Sequence, residues 1–358
     1  MRLGPDDDER DFATTLRRLF ASGPDSPTLW HALADAGVLG LALAERHGGS
    51  GGRLTDVGTF CVEAGRGLCP TVVHGTIAAG LVIDALGTVE QRAWLLPDLA
   101  SGRRSATTAF WSPGDASIVA PVLLARRAGS AWLLSGCVDF VLDAGDADDV
   151  VASARDVETG RTLIFVVPTH ADALRIEPLV LMGGKGAARL HFDGVAVEEG
   201  CVLGVDSDVS EEQLRRLANV AIALLSLDLV GVGEAALQRT VDHTLMRRQF
   251  GRPIASFQAA QHLVANMHIA LAAARLAARA AVSLLDDGHT ATRQTAVARM
   301  HAASAAKLVT LDAHQLHGGM GYVIDTDLHR YSERARVLST LGGGADIAAT
   351  WLSVEGDS

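Results

Sequence analysis

RRQFGRPIASFQ, residues 247–258, places Arg247, Gln249 and Phe250 at the end of a long apolar stretch, directly before a Gly-x-Pro turn. Arginine forks bind diphosphate oxygens in pairs, and an aromatic ring can lie against the adenine or ribityl part of a cofactor. QLHGGMGY, residues 315–322, is followed by the basic run LHRYSERAR, residues 328–336. Adjacent glycines remove Cβ atoms where a backbone approaches a ligand or another chain, and Gln315 beside them can donate or accept. Taken singly, the first stretch reads equally well as a solvated arginine cluster beside a core Phe. The second reads as a glycine helix cap followed by a loop. Their joint occurrence, in this order and at this distance, is far more specific.

Working outward, residues 210–315 carry three helical patterns. The first starts at Ser210, a good N-cap, with Glu211 and Glu212 in the first turn where negative charge suits the helix dipole, and runs to about Arg248. The second spans about Ser256 to Leu285 and the third about Thr290 to Gln315; both are rich in alanine, as close-packed bundle helices are. A short helix is expected after Gly344. From about Ser105 to Leu203 the texture changes to strand-like runs: AWLLSG, DVVASAR, TLIFVVP and ARLHFDGVAV, separated by Gly, Asp and Pro. Before that, Phe12, Leu16, Leu19 and Phe20, then Leu29, Leu33 and Val38, recur at helical spacing. Breaks fall at residues 23–27, 47–52 and 68–70. The expected architecture is α+β: an N-terminal helical domain (1–104), a central β-barrel-like domain (105–208) and a C-terminal four-helix bundle (209–358).

Composition narrows the function. A net charge of −11 argues against nucleic acid or an anionic membrane as the main partner. The four cysteines, Cys61, Cys69, Cys137 and Cys201, form no C-x-x-C pair, so no metal or disulfide framework is expected. The first residues, MRLGPDDDER, are acidic where a secretory signal would be basic and then apolar, and a cytoplasmic location is expected. Leu217–Leu237 is apolar enough to test as a membrane span, but Asn219, Asp228 and Glu234 interrupt it, and a buried helix is expected instead.

Four short patterns imitate other chemistries. GGSGG (48–52) matches a hydrolase nucleophile elbow on Ser50, but lacks the preceding strands that such an elbow needs, and a flexible loop is expected. GVGEAA (231–236) imitates a dinucleotide fingerprint inside a helix-like run, where small residues serve close helix packing. GGKG (183–186) lacks phosphate-loop spacing and reads as a turn. His314 and His317 share a helix face without the Glu that a metal site would add, so a structural role is expected.

The chain resembles the acyl-CoA dehydrogenase family over nearly its whole length. The family pattern R-x-Q-F-G-x-P-I-x-x-F-Q matches residues 247–258, and Q-x-x-G-G-x-G-Y with its basic follow-up matches 315–336. Residues 179–204, 38–52 and 87–103 are also similar to family segments. The resemblance implies the same three-part fold, FAD as cofactor and an acyl-CoA thioester as substrate. It implies an electron-transfer flavoprotein or similar acceptor, and a place in lipid or steroid catabolism. In that family FAD lies across a subunit contact. One subunit holds the ring through its β domain, while the neighbour's bundle supplies the nucleotide clamp. Carried over, the clamp is Arg247, Gln249, Phe250, Gln258, Gln315, Gly318 and Gly319, with Gly344 and Asp346 also at the cofactor.

The other half departs from the pattern. The family's T-E-P-x-A-G-S-D loop corresponds to residues 111–117, WSPGDAS, without its Thr. The family's W-I-T-N becomes FVLD (140–143), and Leu142 has no hydroxyl to offer the ring. Family members remove a Cα proton with a Glu while the β hydride goes to flavin. That Glu falls on Gly342 or, in the minority arrangement about seven helical turns before Arg247, on Ala221. Neither residue accepts a proton. The resemblance therefore implies a base-lacking half-site subunit of an α2β2 heteromer with a homologous chain. A homotetramer using Asp346 or Asp228 as an unusual base is the alternative, a flavoprotein acting on carrier-protein thioesters or as an oxidase a further one, and a serine hydrolase built on Ser50 the reading from another class.

Overall fold

The computed structural model describes residues 7–21, 23, 28–184, 186–204 and 208–353. The chain divides into two compact units that do not follow the compositional zones: residues 25–57 with 70–221, and residues 1–24, 58–69 and 222–358. The N-terminal helical zone is thus shared out, because packing rather than texture sets the boundary.

The first unit is built on a curled seven-stranded sheet. Its strands are β1 (Ala106–Ala109), β2 (Leu123–Ala128), β3 (Ala131–Leu142), β4 (Asp149–Asp156), β5 (Thr162–Pro168), β6 (Leu174–Val180) and β7 (Gly186–Glu198). The order is β1-β4-β2-β3-β7-β6, with β5 on the other edge of β4. β1 and β2 both run parallel to β4 and occupy successive stretches of it: Ala106 faces Asp149, and Leu123 faces Ala154. The four runs read as strands from sequence are β3, β4, β5 and β7. β4 and β5 are buried almost throughout, so they show apolar runs rather than alternation. Leu123, Leu134, Phe165 and Leu190, all fully buried, form the sheet's core, each contributing about 1.5–3 kcal/mol by leaving water. Helices α2 (Leu29–Asp35), α4 (Thr71–Leu86) and α5 (Val89–Ala100) belong to this unit. Thr88 and Gln91 cap α5 reciprocally, and the Gln91 amide also donates to the Val202 carbonyl at 2.6 Å, tying the helix to the chain that follows β7.

The second unit contains α1 (Asp7–Phe20), most of α3 (Leu54–Arg66) and the bundle helices α6 (Glu211–Met246, from residue 222 onward), α7 (Gln258–Asp286) and α8 (Thr292–His317). The shorter α9 (Leu328–Leu338), not foreseen from sequence, and α10 (Ala345–Thr350), expected after Gly344, complete it. Ser210 caps α6 as expected: its hydroxyl accepts from the Gln213 amide at 3.2 Å, and Gln213 reaches back to the Ser210 amide at 3.0 Å. The GVGEAA stretch is a packing surface. A Cβ at Gly231 would lie 1.9 Å from the Val62 carbonyl oxygen, and one at Gly65 would lie 2.0 Å from that of Asp228. α3 and α6 therefore touch backbone to backbone, which no larger residue permits.

Two helices, α6 and α7, are long and apolar enough to cross a membrane by length and composition. In α6 the apolar stretch is 89% buried inside the protein, which fits a core helix; in α7 only 33% is. Ile269 and Leu276 stand exposed on α7.

Candidate active site

The RRQFG stretch folds as a two-residue hairpin. Arg248–Gln249 (β8) pairs with Arg252–Pro253 (β9), Gln249 facing Arg252. The turn residues Phe250 and Gly251 have φ of 52° and 79°, the left-handed pair that a tight hairpin requires. Glycine adopts this freely; a phenylalanine held there costs about 1–2 kcal/mol. Phe250 is also 92% exposed, touching Phe257 edge-on at 6.1 Å, while the Arg252 guanidinium covers the Phe257 ring at 4.1 Å. Among the described residues the exposed side chains of Arg247, Gln249 and Gln258 make no hydrogen bond. A strained, exposed aromatic flanked by free donors marks a surface shaped for something outside the chain.

The QLHGG stretch ends α8. Gln315 is exposed, and Gly318 has φ 59° and ψ −137°, a conformation reserved for glycine. A Cβ on Gly318 or Gly319 would meet nothing within 4 Å, so the glycines open the surface rather than fit another part of this chain. The His243 and His317 rings stack at 4.2 Å, joining the last turns of α6 and α8 and setting the two motif-bearing helix ends side by side. Burial, with His317 and Arg247 nearby, holds the His243 pKa below its ordinary value. His314 stacks on Tyr322 at 5.1 Å and approaches Ser332 Oγ at 2.6 Å, and burial lowers its pKa too. The i, i+3 histidines are thus structural, and among the described residues no group of His, Cys, Asp and Glu could hold a metal.

The base positions carry no carboxylate. Gly342 and Gly343 have φ of 72° and 99° in a buried turn. The turn hangs on Arg299, fully buried on α8, which donates to the carbonyls of Gly343 at 2.9 Å, Leu338 at 2.6 Å and Leu341 at 2.5 Å. Burial pushes the Arg299 pKa down to about 10. Ala221 lies within the unbroken α6, so counting back along the helix from Arg247 is valid.

Two further expectations are corrected. Asp228 is no candidate base: it is fully buried, and its carboxylate accepts from Arg334 Nε at 2.8 Å and Nη2 at 2.5 Å, with Arg334 also fully buried. A carboxylate locked in a buried bidentate pair resists protonation. The GGSGG segment is not a flexible loop. Ser50, Gly51 and Gly52 donate backbone bonds to Gly40, Leu43 and Leu41, and the Ser50 hydroxyl donates to the Gly37 carbonyl at 3.1 Å. Ser50 therefore has no base to activate it. Asp346 is exposed in the first turn of α10, directly after the N-cap Gly344, where it favours the helix dipole. GGKG forms the turn between β6 and β7, with Gly183 at φ 76°; Lys185 lies outside the described residues.

At the ring-holding positions, residues 111–118 form a closed turn: the Ser112 amide donates to the Ile118 carbonyl and the Ser117 hydroxyl to Asp115 Oδ1 at 2.7 Å. Trp111 Nε1 is buried without a hydrogen-bond partner. Leu142 contributes only its carbonyl, which accepts from the Thr107 hydroxyl at 2.8 Å. A cavity of about 420 Å³ lies in the same unit, walled by Trp94, the Arg104–Asp149 ion pair and Cys201, and contains none of these motif residues.

Arg299 and His243 were not read from the sequence, and Arg334 was read only as part of a basic run, without its partner. The available signal was weak: a single arginine among small apolar residues in TAVARMHAAS and a histidine four residues before Arg247.

A helical segment, a curled sheet and a helical bundle that carries the RRQFG and QLHGG motifs are, in that order, the layout of flavin-dependent oxidoreductases of the acyl-thioester type. Two family descriptions match: acyl-CoA dehydrogenase, N-terminal domain, over residues 9–103, and C-terminal domain, over residues 214–353. Acyl-CoA dehydrogenase FadE28 of Mycobacterium tuberculosis is 30% identical over 319 residues, covering 88% of each chain. A structure described as the Tcur3481-Tcur3483 steroid ACAD G363A variant is 31% identical, with a TM-score of 0.86 over 98% of this chain and 97% of that one. The ChsE4-ChsE5 complex from Mycobacterium tuberculosis shares the fold at 23% identity, with a TM-score of 0.87 over 98% of this chain and 97% of that one. The chain belongs to the acyl-CoA dehydrogenase family, whose cofactor is FAD.

The residues present fit half of that cofactor. The open backbone at Gly318–Gly319 and the free donors of Arg247, Gln249 and Gln315 suit a diphosphate and adenosine. The ring side, with Trp111 and Leu142 in place of hydroxyl donors, does not suit an isoalloxazine edge.

Proposed function

We propose that this chain is the base-lacking, clamp-donating subunit of a heteromeric enzyme that introduces an α,β double bond into an acyl-CoA thioester. The observation that carries the reading is the contrast between the Phe250 hairpin, strained and exposed, and the sealed, carboxylate-free turn at Gly342. FAD, when bound, supplies the hydride acceptor. In this chain Arg247 and Gln249 would neutralise and orient the diphosphate, Phe250 would cover the adenosine end, and Gln315 with Gly318 and Gly319 would fix the polar chain. No residue of this chain is placed to take the Cα proton, which falls to the partner's carboxylate.

The partner of this reading is a homologous dehydrogenase chain in an α2β2 tetramer. The exposed apolar residues of α7, Ile269 and Leu276, support a large subunit contact. The paired name and the steroid label of the 31% identical relative support a heteromer acting in steroid or other lipid catabolism. Electron-transfer flavoprotein as acceptor and a cytoplasmic location belong to the same reading. A homotetramer working through Asp346 is the second reading, favoured only by the exposure of that carboxylate.

The test is purification alone and after co-expression with a homologous dehydrogenase chain. The expected result is a colourless lone chain and a yellow complex that bleaches with acyl-CoA. A lone chain that is yellow and turns over acyl-CoA, and loses turnover on Asp346→Asn, overturns the proposal in favour of the homotetramer. Gly342→Glu in the lone chain is expected to remain inactive.

A further inference from the structure

A second cavity, of about 290 Å³, lies among α1, the second half of α3 and α7, and its walls are charged. Arg10, Arg17, Arg275 and Arg279 line it, together with Glu9 and Glu63. Behind them stand Arg66 and Glu234. The ion pairs are chained: Arg17 grips Glu63 at 2.8 and 2.7 Å, Arg66 reaches Glu63 and Glu234, Arg275 shares Glu234, and Arg279 donates to both oxygens of Glu9 at 2.9 Å. Arg10 is paired outside with Asp7. Four guanidinium groups, on Arg17, Arg66, Arg275 and Arg279, therefore meet three carboxylates, on Glu9, Glu63 and Glu234.

The crowding of positive charge is felt at Arg275. Its partner Glu234 is held as well by Arg66, and burial followed by the nearby Arg66 and Arg279 lowers its pKa. A guanidinium in this state gains from an added anion, because its own carboxylate is shared and its neighbours repel it. Thr14 adds an exposed rim position. The volume sits at the lower end of the ~300–1,000 Å³ range of small-molecule sites. The concentration of arginine stands out in a chain of net charge −11. The site is also remote from the nucleotide clamp: Arg275 is seventeen residues along α7 from Gln258, about 25 Å of helix.

We propose that this cleft binds a small phosphate-bearing metabolite, held through its phosphate oxygens by Arg275 with Arg17 and Arg279. Paired oxygens match the guanidinium fork, and the ligand would fasten α1 to α3 and α7. The proposal is independent of which subunit role the chain has.

The experiment uses the full chain, alone or with its partner subunit, in phosphate-free buffer at low salt. Inorganic phosphate, pyrophosphate and malonate are titrated by calorimetry, with thermal unfolding followed in parallel. Pyrophosphate is expected to bind saturably, tighter than malonate, and to raise the unfolding midpoint. Arg275→Gln is expected to weaken it about tenfold, the loss of one charge-assisted contact. Thr14→Glu, which leaves every ion pair in place, should weaken it as well and stands in if Arg275→Gln does not fold. Pyrophosphate can also enter the clamp at Arg247, so Arg247→Gln should remove at most a second binding event and leave the one that depends on Arg275 and Thr14 in place. Absence of saturable binding, binding unaltered by Thr14→Glu, or loss of all binding on Arg247→Gln overturns the proposal; the last would move the pyrophosphate to the flavin clamp.

Discussion

The hairpin at 248–253 and the turn at 338–343 both contain left-handed residues, and they differ in what satisfies them. In the turn, Gly342 and Gly343 take up positive φ without strain, and Arg299 donates to three of its carbonyls from a fully buried position. In the hairpin, a phenylalanine occupies the left-handed position, its ring is 92% exposed, and Arg247 and Gln249 have no partner among the described residues. The turn's carbonyls are satisfied within the chain, although Arg299 Nη1 is buried without a hydrogen-bond partner among the described residues; the hairpin's donors are exposed and open to something added. A chain that retained both halves of a flavin site would be expected to leave the turn open around a carboxylate. Here the exposed, unpaired donors lie on the hairpin.

The largest effect is expected at the fully buried Asp228–Arg334 pair. Asp228→Asn or Arg334→Met leaves one buried group of the Asp228–Arg334 pair uncompensated and should cost about 3–5 kcal/mol of stability, measured by denaturant unfolding. If Asp228→Asn instead leaves stability intact and abolishes turnover in the complex, Asp228 has the catalytic role denied to it above. Arg247→Gln should do the converse: apo stability changes within ~0.5 kcal/mol, as at most exposed sites, while FAD retention by the complex falls about 10–100-fold. Equal FAD retention would show that the hairpin is not the clamp.

Phe250→Asn sharpens the contrast because two effects of opposite sign are expected. Asparagine tolerates the left-handed region, so the lone chain should gain up to about 1 kcal/mol, while FAD affinity in the complex declines. A variant that is less stable alone would mean that the ring packs inside the chain.

The smallest effect is in pH. The His243 pKa is depressed on folding from its ordinary 6.5, so the unfolded chain binds the proton more readily. The contribution to stability is complete above pH 6.5 and is lost as pH falls from there through the lower folded value. The unfolding midpoint should therefore drop modestly on acidification below 6.5, and the His243→Phe variant should drop less. An identical pH profile in the variant would remove the His243–His317 stack from the account of how α6 and α8 are joined.

Much of this was legible in the amino-acid order. Ser210, Glu211 and Glu212 announce α6, the small residues of GVGEAA announce close helix packing, and four β-strands show as apolar runs bounded by Gly, Asp and Pro. These are local signals, carried by propensity, capping and spacing within a few residues. The two clamp motifs could also be named, because each is contiguous. What could not be read was pairing at long range. Asp228 was a free carboxylate in sequence until Arg334, 106 residues away, was folded onto it. Ser50 sat in what resembled a loose glycine loop until its hydroxyl met Gly37.

The sequence alone therefore determined the element types, the family and the absence of a carboxylate at residues 221 and 342, since each depends on residue identity at a counted position. Only the tertiary structure decided which charges neutralise one another, which glycines are pressed against backbone and which stand open, and where two arginines share one carboxylate. Those outcomes depend on burial and on partners distant along the chain, and neither quantity exists until the chain has folded.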